Sequence, residues 1–234
     1  PTSDKQKAQM AGYTVVDPST VITTHIKETI KRHASELLGR QETQALIDKF
    51  KESNPKVIEE LIPDVLSLGK VPKVLQNLLK EQISIRDLRT ILEQLADYGP
   101  STQDTDILTE YVRQAMARPI TKQFQSADGS LSVVTLDRQV EELIQSSIQR
   151  TEVASFLALE PTVAEKLLVK LQEAVEAMSP QIETSPVLLA SPGIRHHLRK
   201  FVERFIPDLA VLSHSEIIPS VQIKTLKVVD LNAN

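Results

Sequence analysis

The stretch 186–213, PVLLASPGIRHHLRKFVERFIPDLAVLS, decides the fold class. It opens on a short, wholly apolar run, PVLLA (186–190), and closes on a second, LAVLS (209–213). Runs this short and this apolar read as strands buried on both faces. Between them Ser191-Pro192 marks a helix start, and Ile194, Leu198, Phe201, Val202 and Phe205 recur at helical spacing. Two buried strands joined through a helix predict a parallel pair with a right-handed crossover. Working outward, SLSVVTL (130–136) is a further strand. Asp137 caps a helix striped by Val140, Leu143, Ile144 and Ile148, and a second helix starts at Pro161 with Leu167, Leu168, Leu171, Val175 and Met178. Val221–Val229 supplies the last strand. The order β-α-α-β-α-β-β makes residues 119–234 a small α/β unit with a mixed sheet.

Residues 28–118 read differently, as nearly continuous short helices. Leu46, Ile47 and Phe50 form one stripe, ended by Asn54-Pro55; Pro63 kinks or ends the next helix. Val71, Val74, Leu75, Leu78 and Leu79 form another stripe, and Leu88, Ile91, Leu92 and Leu95 a third. Ser84 with Asp87 resembles a capping box before that third stripe. Ile107, Leu108, Tyr111, Val112, Ala115 and Met116 complete the array, closed by Pro119. None of these helices is long enough to be stable alone, so they must pack on one another. Gly39, Gly69, Gly99 and Gly129 fall every 30 residues, but their flanks do not match, so no solenoid repeat underlies the spacing.

Upstream, GYTVV (12–16) reads as a β-branched strand running into a helix capped by Asp17 and Pro18. Ile22, Ile26, Ile30, Leu37 and Leu38 stripe that helix, and Gly39 stands where a C-cap belongs. Residues 1–27 are thus a partial βα unit, the tail of an α/β subdomain whose other strands would lie upstream. The chain opens on Pro1 rather than Met, as a fragment would. The expected class is mixed α and α/β: a partial βα unit, an all-helical subdomain (28–118), then the α/β subdomain (119–234).

The chemistry is mostly negative. A net charge of −4 gives no general attraction for polyphosphate, which argues against a nucleic-acid binder. With no cysteine there is no thiol nucleophile, disulfide scaffold or cysteine-ligated metal. Only six glycines are present, no two close enough for GxGxxG, a Walker A loop or a GxSxG elbow. His196 and His197 are adjacent and point about 100° apart on a helix, so they cannot chelate one ion. Arg195, Arg199, Lys200 and Arg204 read as a solvated basic face, and Glu141-Glu142 as surface carboxylates near a helix start. Ser191 as a hydrolase nucleophile lacks an oxyanion-type glycine pair and reads better as a helix cap. Thr14, Val15 and Val16 are more unusual. Packing is the ordinary role for β-branched strand residues; the alternative is a binding surface where the incomplete α/β unit meets its missing half.

Four stretches carry a family pattern: GYTVVDPSTVITTHIKETI (12–30), ELLGRQETQALID (36–48), KVLQNLLKEQISIRDLRTILEQLADYG (73–99) and LTEYVRQAMARPIT (108–121). They resemble the C-terminal cytoplasmic region of the FlhA/InvA/LcrD family, the large export-gate subunit of type III secretion systems, on its flagellar branch. An injectisome paralogue of the same gate is the alternative. The stretch 186–217 is similar to the family's last subdomain, with looser identity. Pro119 departs from the pattern by interrupting a stretch that should continue as helix. The resemblance implies no enzyme activity and no cofactor. It implies an N-terminal membrane part in the cell inner membrane, with this region on the cytoplasmic side. It further implies a ring of nine copies, contacts with other export-apparatus subunits, and a hydrophobic dimple that receives chaperone–substrate complexes. Thr14 matches the dimple's threonine, with Val15 and Val16 beside it. Domain opening, hinged in residues 119–130, would order export. A purely structural ring scaffold is the competing function.

Overall fold

The computed structural model describes the 234-residue chain except residues 1–3, 5, 6, 9, 63, 64, 68, 152–154, 179–181, 183, 184, 233 and 234. Pro1 and Pro63 therefore lie outside the described residues. From residue 18 the chain forms α1 (Pro18–Arg32), α2 (Ala34–Leu37), α3 (Arg40–Ser53), α4 (Pro55–Leu61), α5 (Lys70–Lys80), α6 (Leu88–Tyr98), α7 (Thr105–Ala115) and α8 (Ala117–Phe124). Then follow β1 (Ser130–Leu136), α9 (Arg138–Ser146), β2 (Ile148–Arg150), β3 (Ser155–Leu157), α10 (Pro161–Met178), β4 (Val187–Ala190), α11 (Pro192–Val202), β5 (Ala210–Ser213), a 3-10 turn (His214–Glu216) and β6 (Gln222–Val229).

Four strands form one sheet in the order β5-β4-β1-β6, every neighbouring pair parallel. The pair β4–β5 joined through α11 is the unit expected from 186–213. Strands of both orientations are present, as a mixed architecture requires, but in separate sheets: the antiparallel pairing is a two-stranded ribbon, β2–β3. Periodicity missed the ribbon because its strands have three residues each and are only partly buried. Ile148, read as the end of the α9 stripe, opens it instead. The Ser146 and Ser147 hydroxyls both donate to the Leu143 carbonyl, competing with the backbone ladder where the helix ends.

Strand alternation divides the core. Leu131 and Val133 of β1, Val187 and Leu189 of β4 and Leu212 of β5 pack with α3–α8. Val134 and Leu136, Leu188 and Ala190, and Val211 face the opposite way, onto α9, α10 and α11. The sheet is the middle of three layers, and the helical array shares one continuous core with it. Within the array, Tyr98 of α6 stacks on Tyr111 of α7 with ring centres 3.9 Å apart. Gly99 lets the end of α6 approach Val65: a Cβ there would sit 2.4 Å from Val65 Cγ1 and 2.6 Å from the Leu95 carbonyl oxygen.

Several local expectations need correction. GYTVV does not form a strand; residues 13–17 have no regular secondary structure and no ladder partner among the described residues, and a strand needs a neighbour to satisfy its backbone. Gly39 is not the C-cap of α1, which ends at Arg32. It is the N-cap of α3, its N–H donating to Glu42 Oε2 at 2.9 Å. Asp87, not Ser84, caps α6 by accepting from the Thr90 N–H. Pro119 does not close α7. It lies in the first turn of α8, where a missing N–H leaves no helical bond unmade. Phe205 lies beyond the end of α11 and is exposed; Ile206 takes the buried place.

Candidate binding surface

The residues singled out by sequence lead into α1. Tyr13, Thr14 and Val16 are exposed and Val15 is half-buried. Asp17 then fixes the helix start: its carboxylate accepts from the Ser19 and Thr20 N–H groups at 3.1 and 3.3 Å and from both hydroxyls. The Ser19 hydroxyl first, then that of Thr20, holds the Asp17 pKa down to about 2. None of the residues of α1 is buried. Ile22, Ile26 and Ile30, at i, i+4 and i+8, share one face and are 59%, 53% and 53% exposed. An amphipathic helix with its apolar stripe open to solvent is a contact surface waiting for a partner element. Further along, Leu37 and Leu46 stay exposed and line an apolar groove of about 580 Å³ between α2 and α3, with Leu38, Ala45 and Leu79.

The basic face assigned to α11 is only partly solvated: Lys200 and Arg204 are exposed and Arg199 is half-buried, but Arg195 is not solvated. Arg195 is buried and held between three elements: its Nη1 lies 2.6 Å from Glu81 Oε2, and its Nε 2.6 Å from Glu110 Oε2, with Nη2 on the second oxygen of Glu110. Arg113 on α7 is equally buried and grips Glu216 with two parallel bonds, Nε to Oε1 at 2.7 Å and Nη2 to Oε2 at 2.8 Å. Burial opposes ionisation of Glu81, but Arg113 and Arg195 outweigh it and lower its pKa to about 2. Burial prevails at Glu110 and raises its pKa despite Arg195.

This network has a definite task. β5 is the edge of the sheet, and an edge strand leaves alternate backbone groups unpaired. Arg195 Nη1 donates to the Val211 carbonyl at 3.1 Å, Arg199 Nη1 to the Leu209 carbonyl at 2.7 Å, and Glu216 accepts from the Ser213 N–H at 3.3 Å. Charged side chains take the place of a fifth strand. Thr121 of α8 adds to the clamp, donating to the Glu216 carbonyl and accepting from the Ile218 N–H. His197 is buried rather than solvated, its ring tilted 41° against that of half-buried His196, whose pKa burial lowers to about 4. Ser191 donates to Glu141 Oε2, and its N–H to Glu141 Oε1, so this serine and this carboxylate tie α11 to α9.

The chain thus has a three-layered fold in which α1 is uncovered and the β5 edge of the sheet is sealed by charged side chains. It belongs to the FHIPEP family, which matches residues 1–222. It is 48% identical over 227 residues to the flagellar biosynthesis protein FlhA of Bacillus subtilis, covering 97% of this chain and 33% of that protein. The chain thus spans about a third of the length of the curated relatives it matches. Among solved structures it resembles the Chlamydia pneumoniae CdsV protein, with a TM-score of 0.89 and 33% identity over 97% of this chain and 65% of the other. It also resembles the nonameric EPEC SctV-C ring subunit seen by cryo-EM, with a TM-score of 0.84 and 31% identity over 97% and 68%.

Proposed function

We propose that this chain is a portion of the cytoplasmic part of the flagellar type III protein export gate, and that it docks chaperone–substrate complexes through a site to which Thr14, Val15 and Val16 belong. One observation carries the reading: the exposed segment 13–17 runs straight into a helix whose apolar face, Ile22, Ile26 and Ile30, is uncovered. That is what one wall of a larger binding site looks like when the opposing wall is absent. The 48% identity to a flagellar relative favours the flagellar branch over the injectisome paralogue. The activity needs neither cofactor nor catalytic residue. None of the described helices is long and apolar enough to cross a membrane, so attachment to the inner membrane would come from another part of the protein.

Ring assembly is the second element of the reading. The likeness to a nonameric relative supports it, and the open groove at Leu37 and Leu46 offers an apolar contact face. Subdomain movement is the third. The helical array and the sheet share one core, and Arg195 and Arg113 pin them together. The motion would be hinged in residues 119–130, which link the array to the sheet, and the shared core and the Arg195 and Arg113 ion pairs would limit its range.

Calorimetric titration of a flagellar chaperone–substrate complex tests the docking site. The complex is titrated into this chain and into the chain extended upstream to complete the first subdomains. Binding confined to the extended protein and weakened by Thr14→Glu is the expected result. Equal binding to both would move the site onto the helical or α/β part, and no binding to either would leave a structural ring scaffold.

A further inference from the structure

A second candidate site lies at the far end of α1 from Thr14. Where the C-terminal ends of α1 and α5 meet β5, the chain leaves an open cleft of about 450 Å³. Its lining carries four cations, Arg32, Lys80, Arg113 and Arg199, against two carboxylates, Glu81 and Asp208. On a chain that is negative overall, this is a local reversal of sign. The cations are not equally available. Arg113 is spent on Glu216, and Glu81 on Arg195. Arg32 and Lys80 are exposed, and no carboxylate among the described residues pairs with either. Arg199 is oriented by the Pro207 and Leu209 carbonyls, yet its buried Nε proton meets no acceptor. A buried donor without an acceptor is a standing cost, relieved when an anion approaches.

We propose that this cleft binds an acidic segment of a partner polypeptide, its carboxylates set against Arg32, Lys80 and Arg199. The three cations come from three elements, α1, α5 and α11. The volume lies in the range of sites that bury a short peptide or drug-sized ligand and exceeds what one oxyanion fills. Ile83 and Phe124 add apolar lining between the charges, which suits a segment mixing acidic and apolar residues. This inference is independent of the docking site at Thr14 and fails or stands without it.

Fluorescence anisotropy with a labelled synthetic peptide alternating Glu and Leu tests it, using the intact chain. Arg32→Glu/Lys80→Glu removes the two exposed, unpaired cations, so folding should survive, checked by circular dichroism. A charge-matched control, Lys56→Glu/Lys73→Glu, reverses two exposed lysines outside the cleft. The expected result is saturable binding weakened about tenfold by the cleft variant, within about twofold of wild type for the control, and reduced at high salt. Three results would overturn the proposal: equal binding of a Lys-Leu peptide, equal weakening by the control variant, or full displacement by equimolar inorganic phosphate, which would make this a small-anion site.

Discussion

Arg113 and Glu216 face each other as a buried, bidentate pair, 2.7 and 2.8 Å apart, although 103 residues separate them in the chain. The pair joins a helix of the array to the turn after the edge strand. Breaking it strands a charge in the interior. Arg113→Met should therefore cost about 3–5 kcal/mol in urea denaturation. The double variant Arg113→Met/Glu216→Leu should recover part of that loss, because no unpaired charge remains.

Glu81 and Glu110 should shift stability with pH in opposite senses. The Glu81 folded pKa, about 2, is depressed, so ionised Glu81 stabilises above the unfolded value of about 4.3, and this is lost as pH falls toward 2. The Glu110 folded pKa is raised, so its contribution is complete below about 4.3 and lost as pH climbs through the folded value. Glu81→Gln should thus show its largest deficit at neutral pH, shrinking in acid. Glu110→Gln should gain on wild type as pH rises. Denaturation midpoints from acid to neutral pH measure both; parallel curves for the two variants would refute the assignment.

The α1 surface should be silent in stability. Ile26→Asp should change the unfolding free energy of this chain by no more than about 0.5 kcal/mol, because Ile26 is exposed and outside the core. Leu75→Ala, in the shared core, should cost about 2–5 kcal/mol in the same assay. Asp17→Ala should fray only the start of α1, worth about 1 kcal/mol, visible as faster amide exchange at Ser19 and Thr20 with the global midpoint unchanged.

Gly99→Ala forces a methyl against Val65 and the Leu95 carbonyl oxygen. Thermal unfolding should show a loss of about 1–3 kcal/mol, the usual range for overpacking. Gly69→Ala, whose Cβ would meet nothing nearer than 3.9 Å, should not share that loss.

Local pattern determined much of this protein. The β4–α11–β5 unit, the helical array and most of its stripes were legible in 186–213 and 71–116, because apolar periodicity directly records which face is buried. Family membership was legible in the long runs between residues 12 and 121. What only the tertiary structure decided involves partners distant in sequence. GYTVV has β propensity, yet no strand among the described residues receives it, and propensity without a ladder does not make a strand. Arg195 and Arg199 sit at positions that helical periodicity assigns to solvent. Arg195 is buried and Arg199 half-buried because β5 is an edge whose carbonyls need donors, and the carboxylates that answer Arg195 lie just past α5, on α7 and in the turn after β5. A one-dimensional pattern records how much of a helix is polar. Whether that polar face meets water or a buried carboxylate is fixed by which elements pack against it.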